Sequence, residues 1–285
     1  MVALVPETSV PVGAQGELWG GGGSEQAPAQ PNQHPVPQGL RFYVGAPEPG
    51  WLATAGVPLF VSHGRLARYK KLPRAIAPWG LDSRGFTELS KHGRWTVSAD
   101  TYARAAQRYR AEIGQLDVAS IQDWMCEPFI TAKTGLSVQE HQRRTVDSWL
   151  ELRRLAPDVP WMPVLQGWTL GDYIACVELY DAADPSWRRG RVGLGSVCRR
   201  QSGLRISTII TWFASEGLQL HGFGVKLEGL EFSHTKLASA DSMAWSEGGR
   251  RGRLKSEGCT HKKCTNCLPT ALDWYAEIKA RFDCR

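Results

Sequence analysis

Nine residues near the C-terminus combine the side chain types that bind metal ions. The segment from Cys259 to Cys267 also contains His261 and Cys264, so four sulfur or imidazole ligands lie within nine positions. A closed set of four such ligands favours a tetrahedral structural Zn²⁺, because a catalytic zinc keeps one position open. Cys284 is an alternative fourth ligand. Free thiols that cluster by chance are the other interpretation.

A second group of reactive side chains ends short apolar runs along the chain: Asp82, Asp123, Gln166 and Asp241. Two carboxyl groups on either side of a sugar can break a glycosidic bond, one as nucleophile and the other as general acid. A carboxylate beside an amide can read the donor and acceptor edge of a purine. The alternative is that aspartates here only mark turns.

The elements that must position these side chains are short strands. Eight apolar runs alternate with polar, helix-like segments: residues 42–45, 57–62, 76–82, 118–123, 161–166, 191–195, 218–224 and 237–241. The clearest amphipathic helices are 98–114, with Ser98 as N-cap, and 137–155, where Ser137 and Glu140 predict a capping box. This order predicts a (β/α)8 TIM-type barrel, whose strands direct their C-terminal ends to one mouth. A doubly wound open sheet is the alternative.

Composition restricts the class of protein. The 285 residues are 42% hydrophobic and 22% charged, which excludes a fully disordered chain. No apolar run approaches the roughly 18–20 residues that span a bilayer, and the start lacks the basic region of a secretory signal. Seven cysteines, an odd number, favour a reducing compartment, so we expect a cytoplasmic protein without a membrane anchor.

Residues 1–40 hold six Pro, seven Gly and no Lys or Arg, which predicts a disordered arm. We expect residues 41–250 to form the barrel catalytic domain and residues 251–285 a zinc-binding loop and terminal helix. Because the arm contains three Glu, the net charge beyond it is +9, against +6 for the whole chain. Basic residues cluster within 65–74, 188–200 and 250–263, which predicts a polyanionic partner, DNA or RNA. His63 is expected to be a surface residue or a phosphate-contacting residue and not a catalyst.

Several short motifs resemble one enzyme family. Asp82-Ser83-Arg84-Gly85-Phe86 resembles the Asp-Ser-Gly-Gly-Phe motif of tRNA-guanine transglycosylases, and Leu165-Gln166-Gly167 resembles their Val-Gln-Gly segment. Residues 192–197 look like the family's Gly-Gly-Leu strand, and residues 222–224 like its Met-Gly-Val-Gly segment. Residues 122–128 and the short chain look more like the deazapurine DNA modification protein A (DpdA) branch. Members of that branch replace guanine in DNA by a 7-deazaguanine and occur in phages and bacterial modification islands.

The resemblance covers roughly residues 42–284 and implies a role for each matching residue. Asp241 would be the nucleophile and Asp82 the general acid and base. Substrate-binding roles would fall to Ser83, Asp123, Gln166, Gly193, Leu194 and Gly195. Phe86, Trp168 or Trp245 could stack on a flipped base. The pattern Cys259-x-His261-x₂-Cys264 is similar to the family's zinc motif, with Cys267 or Cys284 completing the set.

Two departures limit the resemblance: Arg84 stands where the family has Gly, and residues 242–246 do not reproduce its Pro-Thr-Arg segment. The resemblance implies a DNA-guanine transglycosylase that inserts a 7-deazaguanine of the preQ0 type, working as a homodimer or with accessory modification proteins. The alternatives are a tRNA-guanine transglycosylase and a non-catalytic, zinc-stabilised subunit that binds nucleic acid. Because a scaffold has no need for two carboxylates in one cavity, Asp82 and Asp241 favour catalysis.

Overall fold

Parallel strands form the centre of this computed structural model, which describes residues 39–197, 204–282 and 284. Within those residues there are nine strands: β1 (Arg41–Ala46), β2 (Leu59–Ser62), β3 (Trp79–Asp82), β4 (Leu116–Ser120), β5 (Trp161–Met162), β6 (Val164–Leu165), β7 (Arg191–Leu194), β8 (Gln219–Gly222) and β9 (Ser239–Ser242). They pair in the order β5-β4-β3-β2-β1-β9-β8-β7-β6, and every pair is parallel.

The two outer strands of that order are consecutive in the chain. β5 and β6 are separated by Pro163 alone, so together they act as one strand that pairs with β4 on one side and with β7 on the other. Proline has no N–H to donate to a sheet, which explains the break. The sheet therefore nearly closes into a barrel, as predicted, and each of the eight predicted runs contributes to it. The open-sheet alternative is wrong.

Helices cover the outside of the barrel: α1 (His63–Leu66), α2 (Gly85–His92), α3 (Ala99–Ile113), α4 (Pro128–Thr134), α5 (Val138–Leu155), α6 (Leu170–Ala183), α7 (Leu204–Ser215), α8 (Leu227–Ser233), α9 (Ala244–Arg250) and α10 (Leu268–Arg281). Short 3₁₀ helices lie at Pro49–Ala53, Pro185–Arg189 and His234–Lys236. Among the described residues, no helix combines the length and the apolar character needed to cross a membrane.

The predicted caps of α3 and α5 are present. Ser98 Oγ accepts a hydrogen bond from Thr101 N–H at 3.2 Å, and Ser137 Oγ accepts one from Glu140 N–H at 3.1 Å. The capping box at α5 is only half formed, because the Glu140 carboxylate binds Arg143 and Arg144 on the next turn. Satisfying the first amides of each helix fixes where the helix begins.

The apolar residues form two layers. Inside the barrel, Tyr43, Phe60, Val118 and Met162 pack against one another beneath Phe223. The larger layer lies between the strands and the surrounding helices. The predicted arm lies outside the described residues up to position 38. Leu40, the last residue of the predicted arm, is buried and forms an isolated parallel β-bridge with Cys284.

Candidate active site and metal centre

A cavity of about 270 Å³ opens at the C-terminal ends of the strands. Of the predicted site residues, five line it: Asp82, Ser83, Asp123, Gly195 and Asp241. Its apolar lining includes Phe60, Phe86, Phe223 and Met243. The fold thus brings three aspartates from distant parts of the chain to one cavity, because the C-terminal ends of β3, β4 and β9 meet at one face of the barrel.

Asp82 ends β3, and the following turn holds its carboxylate. Arg84 N–H donates to Asp82 Oδ1 at 3.0 Å, and Arg84 itself adopts a left-handed backbone conformation with φ +74°. Glycine adopts that conformation easily, which explains why it suits the corresponding position of the Asp-Ser-Gly-Gly-Phe motif. Arginine at this position puts strain on the backbone. Burial raises the pKa of Asp82, and the nearby charge of Asp241 raises it further.

Asp241 lies on β9 and receives donors from β8 and its following loop. Gly224 N–H donates to Asp241 Oδ1 at 3.0 Å, and His221 Nε2 lies 3.3 Å from the same oxygen. The opposite ring nitrogen of His221 is 2.9 Å from Ser239 Oγ. Burial lowers the pKa of His221, so the ring is neutral beneath the carboxylate. Sequence reasoning missed His221; its polar side chain inside an apolar strand run was the available signal.

Gln166 does not line the cavity, contrary to its expected role in reading the base edge. It is completely buried; its Nε2 donates to Asp123 Oδ2 at 2.5 Å and its Oε1 accepts from Ser196 Oγ at 2.8 Å. A Cβ atom on Gly195 would lie 2.2 Å from Gln166 Nε2, so only glycine leaves room for this amide. Gln166 therefore supports the cavity wall from behind.

Gly193 and Leu194 lie in β7 and are not among the lining residues. Gly193 N–H donates to Pro163 O at 2.8 Å, so its amide belongs to the barrel's own hydrogen bonds. Gly195 N–H likewise donates to Leu165 O, and Tyr173 Oη donates to Gly195 O. The amide N–H groups of Gly193 and Gly195 are thus already used within the barrel.

The three aromatic stacking candidates separate clearly. Phe86 lines the cavity, is 39% exposed and makes an edge contact with Phe129. Trp245 is fully buried and donates to Gly45 O at 3.1 Å, so it belongs to the core. Trp168 does not line the cavity. Ser120 Oγ, which no pattern indicated, is buried at the cavity and has no hydrogen-bond partner among the described residues.

The three basic clusters of the sequence lie in different parts of the structure. Arg65, in the first cluster, lines the cavity, whereas His63 is buried and hydrogen-bonds Tyr109 Oη at 3.1 Å, so its expected surface position is wrong. In the second cluster Arg188 and Arg191 pair with aspartates near the N-terminal ends of the strands, away from the cavity. Arg199 and Arg200 lie outside the described residues. Most of the third cluster is exposed around the cysteine-rich segment.

The cysteine-rich segment brings four ligand atoms within 4.8 Å of one another: those of Cys259, His261, Cys264 and Cys267. Cys259 Sγ lies 3.7 Å from Cys267 Sγ and 2.9 Å from His261 Nδ1. Zn–S bonds of about 2.3 Å at tetrahedral angles separate two sulfurs by about 3.8 Å, so the donor set fits a metal ion. Although burial opposes it, hydrogen bonds from Thr270 lower the pKa of Cys267 to about 7.

The alternative fourth ligand is not part of this group. Cys284 pairs with Leu40 beside β1 and packs against the main core. The neighbouring Cys264 and Cys267 are buried, whereas His261 is exposed. Cys126 and Cys176 are buried, and Cys198 lies outside the described residues. The structure thus selects Cys267 over Cys284 as the candidate fourth ligand.

The nearly closed parallel barrel, with three aspartates lining a cavity at its mouth, has the (β/α)8 architecture. The family model of DpdA, described as DeoxyPurine in DNA protein A, matches residues 39–284, and the chain belongs to that family. A comparison with curated proteins found no match. Membership of this family supports a general role as a DNA-modification transglycosylase.

Proposed function

We propose that this protein exchanges guanine in DNA for a 7-deazaguanine base through a covalent enzyme–sugar intermediate. The observation that carries the proposal is that Asp82 and Asp241 line the same cavity, with electrostatic coupling between them. A cavity of about 270 Å³ is close to the lower end of small-ligand sites, roughly 300–1,000 Å³, and suits one flipped nucleotide.

In the first displacement, Asp241 attacks C1′ of the deoxyguanosine, and the bond from C1′ to N9 breaks. Asp241 Oδ1 accepts from Gly224 N–H, and the neutral His221 lies against the same oxygen, which leaves Oδ2 to form the new bond. Asp82 donates a proton to a ring nitrogen of the leaving guanine. Its raised pKa supports this role, because a general acid must hold its proton near neutral pH.

In the second displacement the incoming base loses its N9 proton to Asp82, and N9 attacks C1′. The bond between Asp241 and the sugar breaks, and both carboxyl groups return to their starting states. Asp123 accepts hydrogen bonds from the base edge, and Phe86 or Phe223 packs on its face. Ser83 and the orphaned Ser120 Oγ are further polar contacts, and Arg65 binds a neighbouring phosphate.

The test is incorporation of labelled preQ0 base into duplex DNA. Wild-type protein should transfer label and form a protein–DNA adduct that survives denaturing electrophoresis. Asp241→Asn should lower incorporation by about 10⁴-fold or more while DNA retention persists. Asp158→Asn is the matched control, because Asp158 is an exposed carboxylate paired with Arg110. Exchange by Asp241→Asn at the wild-type rate would rule out this nucleophile.

The same assay separates the alternatives. Label in tRNA but not in DNA would favour a tRNA-guanine transglycosylase. Binding of nucleic acid without exchange by any variant would favour a non-catalytic subunit. The two lining carboxyl groups, Asp82 and Asp241, argue against that last alternative, since burial raises the pKa of Asp82 at a cost in stability that a scaffold has no need to bear.

We also propose that the cysteine-rich segment binds one structural Zn²⁺ through Cys259, His261, Cys264 and Cys267. Metal analysis should find about one zinc per chain. Cys264→Ser should lose the metal and lower the melting temperature, because structural zinc contributes folding free energy directly. Cys284→Ser is the control and should keep the metal. Zinc-free, fully folded wild-type protein would contradict the site.

A further inference from the structure

Four buried polar side chains form a continuous chain of hydrogen bonds in the cavity wall. Asp123 Oδ2 accepts from Gln166 Nε2 at 2.5 Å, and Gln166 Oε1 is 2.8 Å from Ser196 Oγ. Ser196 Oγ is also 2.8 Å from Glu127 Oε2. All four residues are at most 9% exposed, and both carboxyl groups line the cavity. The transglycosylase mechanism uses Asp123 but gives Glu127 and Ser196 no task.

The hydrogens available to this chain do not suffice if both carboxyl groups are ionised. Ser196 has one hydroxyl hydrogen, and its oxygen already accepts from Cys126 N–H at 2.8 Å. If Gln166 donates to Asp123, its carbonyl oxygen needs the Ser196 hydrogen, and Glu127 must then be protonated to donate to Ser196. If the Gln166 amide is turned around, Ser196 donates to Glu127, and Asp123 must be protonated. Either way the chain holds one carboxyl proton.

The backbone shows that this arrangement is built and held. Ser196 is one of three non-glycine residues with positive φ among those described, at +56°. A serine in that conformation costs free energy, and such strain concentrates where a side chain has a specific task. Burial raises the pKa of Asp123 to about 7, and the charges of Asp82 and Glu127 contribute to this rise. The environment therefore disfavours ionising both groups together.

We propose that Asp123 and Glu127 share one proton through Gln166 and Ser196, and that Glu127 holds this proton whenever a guanine-type base is bound. The inference rests on the proposed function and deepens it. A guanine or 7-deazaguanine presents N1–H and an exocyclic amino group, both donors, so Asp123 must accept. When the base enters, the proton leaves Asp123 and reaches Glu127 through cavity water. The Gln166 amide turns by half a rotation and the Ser196 hydroxyl redirects.

The net charge of the wall stays at −1 throughout, because one proton moves and none is lost. Glu127 and Ser196 are then positioning residues that fix the acceptor character of Asp123. Such a wall selects bases that present adjacent donors. It rejects adenine, whose ring nitrogen at the same place is an acceptor and would face the carboxylate.

The deciding variants are Glu127→Gln and Glu127→Ala, compared in direct calorimetric binding of preQ0 base to the full chain. A glutamine amide donates to Ser196 as protonated Glu127 does, so Glu127→Gln should bind within about threefold of wild type. Glu127→Ala removes the donor and should bind about tenfold or more weakly. If Glu127→Gln loses as much affinity as Glu127→Ala, Glu127 acts as an anion and the proposal is wrong.

Ser196→Gly guards against a folding artefact. Glycine suits φ +56°, which offsets part of the cost of losing the Ser196 hydrogen bonds, so this variant should remain folded, yet lose about tenfold or more in base affinity because the chain is cut. Unchanged affinity in Ser196→Gly would overturn the proposal. If Ser196 had only a structural role, its removal would change the melting temperature and leave the base affinity unchanged.

A measurement without base separates this proposal from the proposed function. Infrared absorption of protonated carboxyl groups at about pH 6, below the pKa of about 7 of Asp123, should show one fewer in Glu127→Gln than in wild type, because the introduced amide supplies the missing donor and Asp123 ionises. Equal numbers would refute the shared proton, whatever the base-binding result. If wild type binds no base but the infrared difference is present, the proposed function fails and the proton sharing stands.

Discussion

Both ends of the barrel hold carboxyl groups among polar side chains, but the pKa shifts of these carboxyl groups have opposite directions at the two ends. At the N-terminal end, Asp117 accepts from Tyr43 Oη at 2.5 Å and from Arg191 at 2.6 Å, with Arg41 3.5 Å away. Although burial opposes it, the Tyr43 hydrogen bond and the arginine charges hold the pKa of Asp117 below its usual range. Within this cluster the arginines compensate the negative charge of Asp117.

At the C-terminal end, burial outweighs the stabilising contacts of the carboxyl groups. Burial raises the pKa of Asp82 and of Asp123, and Ser120 Oγ lacks a partner among the described residues. Arg84 and Ser196 both hold left-handed backbone conformations beside the cavity. One end pairs its carboxylate with cations, whereas the other holds carboxyl groups whose burial costs stability, as the proposed function requires.

The largest effect that tests this contrast is on catalysis. Asp82→Asn keeps the shape of the protonated carboxyl but cannot transfer a proton, so base exchange should fall by about 10²–10⁴-fold. The free energy of unfolding should not decrease, because an unfavourable buried carboxyl group is removed. Exchange kinetics and denaturant unfolding check the two halves. If Asp82→Asn loses stability and keeps activity, Asp82 serves stability and not catalysis, and the contrast between the two ends is wrong.

The pH dependence of stability should differ in sign between the ends. Asp123 has a raised pKa of about 7, so between pH 5 and 7 the folded state binds more protons than the unfolded state. The contribution of Asp123 to the free energy of unfolding therefore falls by about 2–3 kcal/mol as the pH rises from 5 to 7. Asp123→Asn should remove this pH dependence. Thermal unfolding at a series of pH values measures it. Equal slopes in wild type and variant would contradict the raised pKa.

Asp117 should behave in the opposite way. Because the pKa of Asp117 is lower in the folded state, its ionised form stabilises the fold at pH values above the pKa that Asp117 has in the unfolded state. This stabilisation is lost as the pH falls through the pKa of Asp117 in the folded state. Asp117→Asn should cost about 2 kcal/mol at neutral pH, less than for a fully buried pair because Asp117 is partly exposed. Exchange activity per folded molecule should stay within about twofold. A large loss of that activity would show that this end also serves catalysis.

The smallest expected effect concerns backbone strain. Arg84→Gly places the residue that φ +74° favours after Asp82 and should raise the free energy of unfolding by about 0.5–1 kcal/mol. Arg104→Gly, on the exposed face of α3, is the control and should destabilise by about 1 kcal/mol, because glycine weakens a helix interior. A loss of stability in Arg84→Gly would mean that the guanidinium contributes more than the strain costs.

Local patterns predicted most of the fold and part of the site. The apolar runs, the Ser98 and Ser137 caps and the four metal ligands are encoded within a few residues of each other, so spacing suffices to find them. Aspartates at strand ends were recognisable for the same reason. Boundaries were less accurate: the run 161–166 is two strands, because Pro163 breaks the hydrogen-bond pattern.

What the sequence determined by itself is the order of strands and helices, the charge of the chain and the chemistry available at each strand end. Only the tertiary structure decided which side of the wall each group faces. It turned Gln166 inward, buried Trp245, set His221 under Asp241 and joined Ser196 to Glu127, 69 residues apart. These outcomes depend on packing between distant segments, and no local spacing carries that information.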